Sequence, residues 1–150
     1  MAFLVRIVHV SSVAFLFGGA LLIFILLHFV SGNRDASARR MLFDLMRAFE
    51  WGSWASLGLV IATGVGNLAH FGEGLPDARS EWGREFTLKL GLVLAFLVFS
   101  AVRTLSVTVA ASHPDVTAAP RTQRRLGTLY GITAAVAAAI VAVAVSLAHF

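Results

Sequence analysis

Four long apolar runs, separated by three short polar connections, set the pattern of this chain and predict four helices. The runs cover residues 3–30, 52–71, 87–110 and 127–149. Each is near the ~20 residues that a helix needs to cross the hydrocarbon core of a bilayer. Between the first two runs, Met41, Leu42, Leu45, Met46 and Phe49 recur at helical spacing and predict an amphipathic segment over about 37–50. Gly32-Asn33 closes the first helix, while His113-Pro114 and Pro120 end and redirect the third. The first run is too long for the core of a secretory signal, and no small-residue cleavage site followed by a polar domain comes after it, so it is read as an uncleaved helix.

Composition turns this pattern into a class. Hydrophobic residues make up 58% of the chain, charged residues 13%, and the mean hydropathy is +0.83. A water-soluble domain of this size could not hide so much apolar surface, and the bilayer is the expected partner. The expected fold is all-α: one integral membrane four-helix bundle over residues 1–150, up-down-up-down. Its packing signals are small residues, namely Gly18-Gly19, Gly58, Gly64, Gly66, the Gly127–Gly131 pair and the Ala-rich stretch 134–145.

Charge adds direction. The first and third connections carry Arg34, Arg39, Arg40, Arg47, Arg121, Arg124 and Arg125. The second carries Glu73, Asp77, Glu81 and Glu85 against Arg79 and Arg84. Basic loops stay in the cytoplasm, which predicts both termini on the outer side of a multi-pass protein of a bacterial inner (plasma) membrane. The net charge of +4 reflects this orientation rather than a nucleic-acid surface. With no cysteine, disulfides, thiolate zinc sites, iron–sulfur clusters and cysteine-attached haem are excluded.

The candidate chemistry lies at the outer end, where threading gathers His9, His70, Lys89 and His149. Imidazoles and amines are costly in lipid, so several at one level point to a site. His9, about two turns into the first helix, is a candidate axial ligand to haem iron, with an interfacial histidine as the plain alternative. His70 is the first candidate for the opposite axial position, making His9 and His70 the expected metal pair. His149 and Lys89 are held in reserve. Arg6, on the face of His9, and Lys89 are candidate partners of haem propionates, or they snorkel to the membrane surface. His28 lies nearly 30 Å from His9 along one helix and cannot share its metal, and His113 precedes a proline in a loop. Arg103, well inside the third run, is expected to snorkel to the inner surface, with a buried polar contact as the alternative. No carboxylate falls within the four runs as drawn, and no methionine pair suited to copper lies in a span near the histidines.

The segment RIVHVSSVAFLFGGALL resembles the opening helix of the CopD-type copper-resistance membrane domains, in which a histidine is followed by an aromatic-Gly-Gly turn. The likeness extends to ATGVGN in the second run, TLKLGLVLAF in the third, and RTQRRL before an Ala-rich last helix. The chain is also similar to the HemJ-type protoporphyrinogen oxidases, small four-helix membrane proteins that bind haem b and use a histidine in helix 1 and a lysine in helix 3. His9 and Lys89 match those positions, whereas the Pro-Arg of that family's first helix is replaced by apolar residues around Ile23–Leu27. Its Arg-x-x-Asn-Glu-x-Pro pattern before the last helix is also missing. The combined expectation is a haem b protein in electron transfer or redox chemistry, with a quinone or redox-protein partner or as a small subunit of a larger complex. Copper transport or tolerance with copper as the metal is the first alternative, and a cofactor-free structural or assembly subunit the second.

Overall fold

The four helices expected from the apolar runs are present, with boundaries set by local capping chemistry. The structure, a computed structural model, describes residues 2–30, 36–70, 80–113 and 119–147. Helix α1 spans Ala2–Val30, α2 Ala36–His70, α3 Glu81–Ala111 and α4 Pro120–Leu147. Ser80 caps α3, its hydroxyl accepting from the Gly83 amide at 3.0 Å. Pro120 does not merely redirect the chain; it is the first residue of α4. Its fixed φ and missing N–H suit that place, so the basic RTQRRL segment forms the opening turns of the helix.

Helix α2 departs most from the pattern. The amphipathic segment at about 37–50 and the apolar run after it form one unbroken helix of 35 residues. No proline or glycine pair separates the two segments, and propagation of a helix already begun is favourable. Glu50, assigned to a connection by the apolar pattern, thereby lies inside the bundle.

Side-chain contacts show the antiparallel threading. Along α1 and α2, His9 meets Thr63, Phe15 covers Gly52 and Phe49 covers Gly19. Along α1 and α4, Phe24 packs on Gly131, and Leu27 lies beside Gly127. Helices α3 and α4 also pack closely, whereas α2 and α3 meet far more sparsely. Of the small residues singled out above, Gly19 and Gly131 thus receive an aromatic ring, whereas Gly18 and Gly58 face open space.

The interior has two apolar clusters. One is built from Ala20, Ile23, Leu42, Met46, Leu126 and their neighbours, the other from Leu16, Leu57, Phe96 and Ala137. Outside, large apolar side chains point away from the protein, among them Phe3, Leu94 and Val145 at 76%, 63% and 55% exposure. Such a surface suits lipid rather than water.

Three helices are long and apolar enough to cross a membrane: Phe3–Phe29, Gly83–Ala111 and Pro120–Val145, with hydropathies of 2.6, 2.1 and 2.2. Among the described residues α2 does not meet that standard: charged residues crowd its first half, and glycine, serine and tryptophan lower the hydropathy of the run that follows.

Candidate functional site

The most elaborate polar arrangement among the described residues is a layer that the apolar pattern did not reveal. Arg103 of α3 is fully buried, and Glu50 of α2 is 4% exposed. The guanidinium grips the carboxylate at two points, Nε to Oε1 at 2.7 Å and an Nη2 hydrogen to Oε2 at 3.1 Å. This parallel fork is the strong geometry for such a pair. Nη2 also donates to the Ser53 hydroxyl at 3.1 Å and Nη1 to that of Thr133 at 3.2 Å.

Glu50 accepts two further hydrogen bonds. Tyr130 of α4, itself fully buried, donates to Oε1 at 2.6 Å, and Thr104 donates to Oε2 at 2.5 Å. Thr104 in turn accepts from the Trp54 indole at 2.9 Å. An ionised carboxylate has about four acceptor positions, and all are filled here. The rings of Phe49 and Tyr130 flank the guanidinium, their centroids 5.3 and 5.2 Å from its central carbon. Both charges are therefore compensated without water.

The layer draws on α2, α3 and α4 and supplies much of what joins α2 to α3. It is chemically closed: no lone pair of Glu50 is left to take a metal ion, and a guanidinium holds its proton at any physiological pH. Its position excludes snorkelling for Arg103, which is expected from sequence to reach the inner surface. Arg103 instead points inward to Glu50. A signal for this exists in the sequence, since an arginine this deep in an apolar run demands a counter-charge. Glu50, at the very edge of the second run, is the carboxylate that answers it.

The second candidate site lies near the start of α1. His9 is half-buried, and its Nδ1 lies 2.7 Å from the Thr63 hydroxyl of α2. That hydroxyl is 2.6 Å from the carbonyl of Leu59 and 3.2 Å from that of Val60. Gly64 lies beside the ring, where a Cβ would make an ordinary contact 4.0 Å from Cε1. Lys89 of α3 is half-buried.

The other expected site residues divide plainly. Arg6 is exposed on α1. The backbone of His70 ends α2, but its side chain lies outside the described residues, as does His149 altogether. The pairing of His9 with His70 is therefore not addressed by the geometry. His28 is exposed on α1, about 28 Å along the helix from His9. His113 is exposed just past α3, its Nδ1 3.2 Å from the Val109 carbonyl. Among the described residues, no three histidine or carboxylate groups gather around one point.

Fold and surface together define the class: an all-helical, multi-pass membrane protein with a charge pair buried at its centre. Residues 43–147 match the CopD family, described as copper resistance protein D. The match covers more than two thirds of the chain, which therefore belongs to this family. It takes in Glu50, Lys89, Arg103 and Tyr130 but stops short of α1 and His9. No curated protein and no solved structure shows significant similarity to the chain.

Proposed function

We propose that the protein handles copper at the membrane, as a transport or tolerance component that binds the ion at the His9 end of the bundle. Membership of the copper-resistance family carries this reading. The geometry at His9 fits a metal ligand. Its Nδ1 is engaged by Thr63, which leaves Nε2 as the nitrogen for a metal. Imidazole suits copper, and a ligating histidine commonly uses one nitrogen for the metal and the other for a protein partner. The copper ion here is cargo passed on, and His9 supplies one donor. In this reading α2 crosses the bilayer with the other three helices, its charges turned onto Arg103 or toward the membrane surface. Both termini lie on the outer side, by the bias of arginine in the connections.

A second reading, haem b binding for electron transfer to a quinone or a redox protein, is favoured by the same imidazole inside a helical bundle. The two readings separate in one preparation. Full-length protein is purified in detergent from membranes supplied with both copper and haem, then assayed for metal content and for a Soret band. The copper reading expects colourless protein carrying copper that His9→Ala removes. A Soret band lost in His9→Ala would replace copper by haem. Copper retained in full by His9→Ala would remove His9 from the site.

A further inference from the structure

We propose that Thr63 is a positioning residue for the His9 ligand: it fixes the imidazole as its Nδ1–H tautomer, leaving Nε2 as the donor atom for a metal. The inference rests on the reading of His9 as a metal ligand and concerns how that ligand is prepared.

A threonine hydroxyl has one proton to give. At Thr63 the carbonyl of Leu59, one turn earlier on α2, stands 2.6 Å away, and the His9 Nδ1 stands 2.7 Å away on the other side. Two arrangements are conceivable. If Nδ1 were bare, Thr63 would have to turn its proton to the ring, and its oxygen would then face the Leu59 carbonyl at 2.6 Å with nothing between two lone pairs. If Nδ1 carries the proton, Thr63 keeps the helical bond to Leu59 and accepts from the ring, so both short contacts are hydrogen bonds. Only the second satisfies every group.

This is the usual logic of a ligating histidine, in which the partner on one nitrogen sets the orientation and basicity of the other. Thr63 is β-branched within a helix, so its rotamers are few and its oxygen is held in place. Free neutral histidine in water prefers the opposite tautomer, with the proton on Nε2, so an Nδ1–H form at His9 reports the influence of its surroundings.

The test compares wild type, Thr63→Val, Thr63→Ser and His9→Ala, each as the full chain in detergent. Carbon and nitrogen NMR of histidine-labelled, metal-free protein distinguishes the tautomers, with His9→Ala assigning the signal. The expected result is the Nδ1–H form in wild type and Thr63→Ser, and a mixture or the Nε2–H form in Thr63→Val. Competition for Cu(I) against a chromogenic chelator should then show Thr63→Val weaker by roughly 10–100-fold, Thr63→Ser near wild type, and His9→Ala without the site. If Thr63→Val keeps both tautomer and affinity while His9→Ala loses copper, Thr63 has no positioning role and the copper reading stands. If His9→Ala binds copper as well as wild type, the reading of His9 and the inference built on it fall together.

Discussion

Arg103 and Glu50 face each other across α3 and α2 with two parallel hydrogen bonds, the shorter 2.7 Å, inside a bundle whose outer surface suits lipid. Burying two charges is expensive, and a well-packed apolar pair often does as well or better for stability alone. A closed network of this kind, spanning the sparsely packed seam between α2 and α3, has its clearest rationale in specificity. It admits one register of α2 against α3 and one height of α4, where Tyr130 must reach Oε1 and Thr133 must reach Nη1.

Neutralising one partner should therefore cost far more than replacing both. Arg103→Met leaves the Glu50 carboxylate buried beside only hydroxyl donors, and Glu50→Leu leaves a buried guanidinium without its anion. Each single change is expected to destabilise the bundle by about 3–5 kcal/mol. The double variant Glu50→Leu/Arg103→Met should recover a large part of that loss. A double-mutant cycle on reversible unfolding in mixed micelles reads the coupling directly. Additive losses would show that the two side chains do not depend on each other.

Tyr130 separates packing from hydrogen bonding. Its ring leans on Phe49, with centroids 5.9 Å apart, and on the Arg103 guanidinium, whereas its hydroxyl donates to Glu50. Tyr130→Phe keeps the ring and removes one bond to a charged acceptor, a loss of about 1.5–3 kcal/mol. Thr104→Val removes a donor to Glu50 and also strands the Trp54 indole, whose fluorescence should then shift as it loses its hydrogen bond. Unaltered Trp54 emission in that variant would mean that the chain from Trp54 through Thr104 to Glu50 is not formed in the membrane protein.

How far these features were legible in the sequence depends on what each residue needed. The four helices could be read because the apolar runs are long and the connections polar. The start of α4 at Pro120 and the continuity of α2 through Phe49–Glu50–Trp51 could not, since hydropathy averages over windows and one glutamate lowers the average of its surroundings. The same averaging placed Glu50 in a connection and left Arg103 without an anion. His9 stood out from the start because a lone imidazole in an apolar run is conspicuous. Thr63 did not, because a helical threonine that bonds its own backbone looks ordinary, and its pairing with His9 spans 54 positions.

Glycine substitutions probe the packing independently of the charges. A Cβ at Gly19 would run into the Phe49 ring, which cannot swing away because Phe15, Tyr130 and Arg103 hold it. Gly19→Ala is expected to destabilise by about 1–3 kcal/mol through overpacking. Gly18→Ala, one residue away and facing open space, should be neutral or slightly stabilising, since alanine is the better helix former. Equal melting temperatures for the two variants would mean that α1 and α2 are not in contact at this height.

Ser100 yields the least intuitive expectation. Helical serines and threonines in this bundle habitually bond a carbonyl one turn back, as Thr87, Ser106, Thr108 and Thr133 do. The hydroxyl of Ser100, 2% exposed on α3 one turn before Thr104, has no partner among the described residues. A buried hydroxyl without a partner costs about 1–3 kcal/mol relative to a satisfied or absent one. Ser100→Ala removes that cost, opens a space of only one oxygen atom and replaces serine by a stronger helix former. The variant should be at least as stable as wild type, and more stable by up to about 1 kcal/mol after the small packing loss. Thermal unfolding of the purified protein, run beside Ser106→Ala as an exposed control, decides the point. A clear drop in stability for Ser100→Ala alone would show that this hydroxyl is bonded within the folded membrane protein.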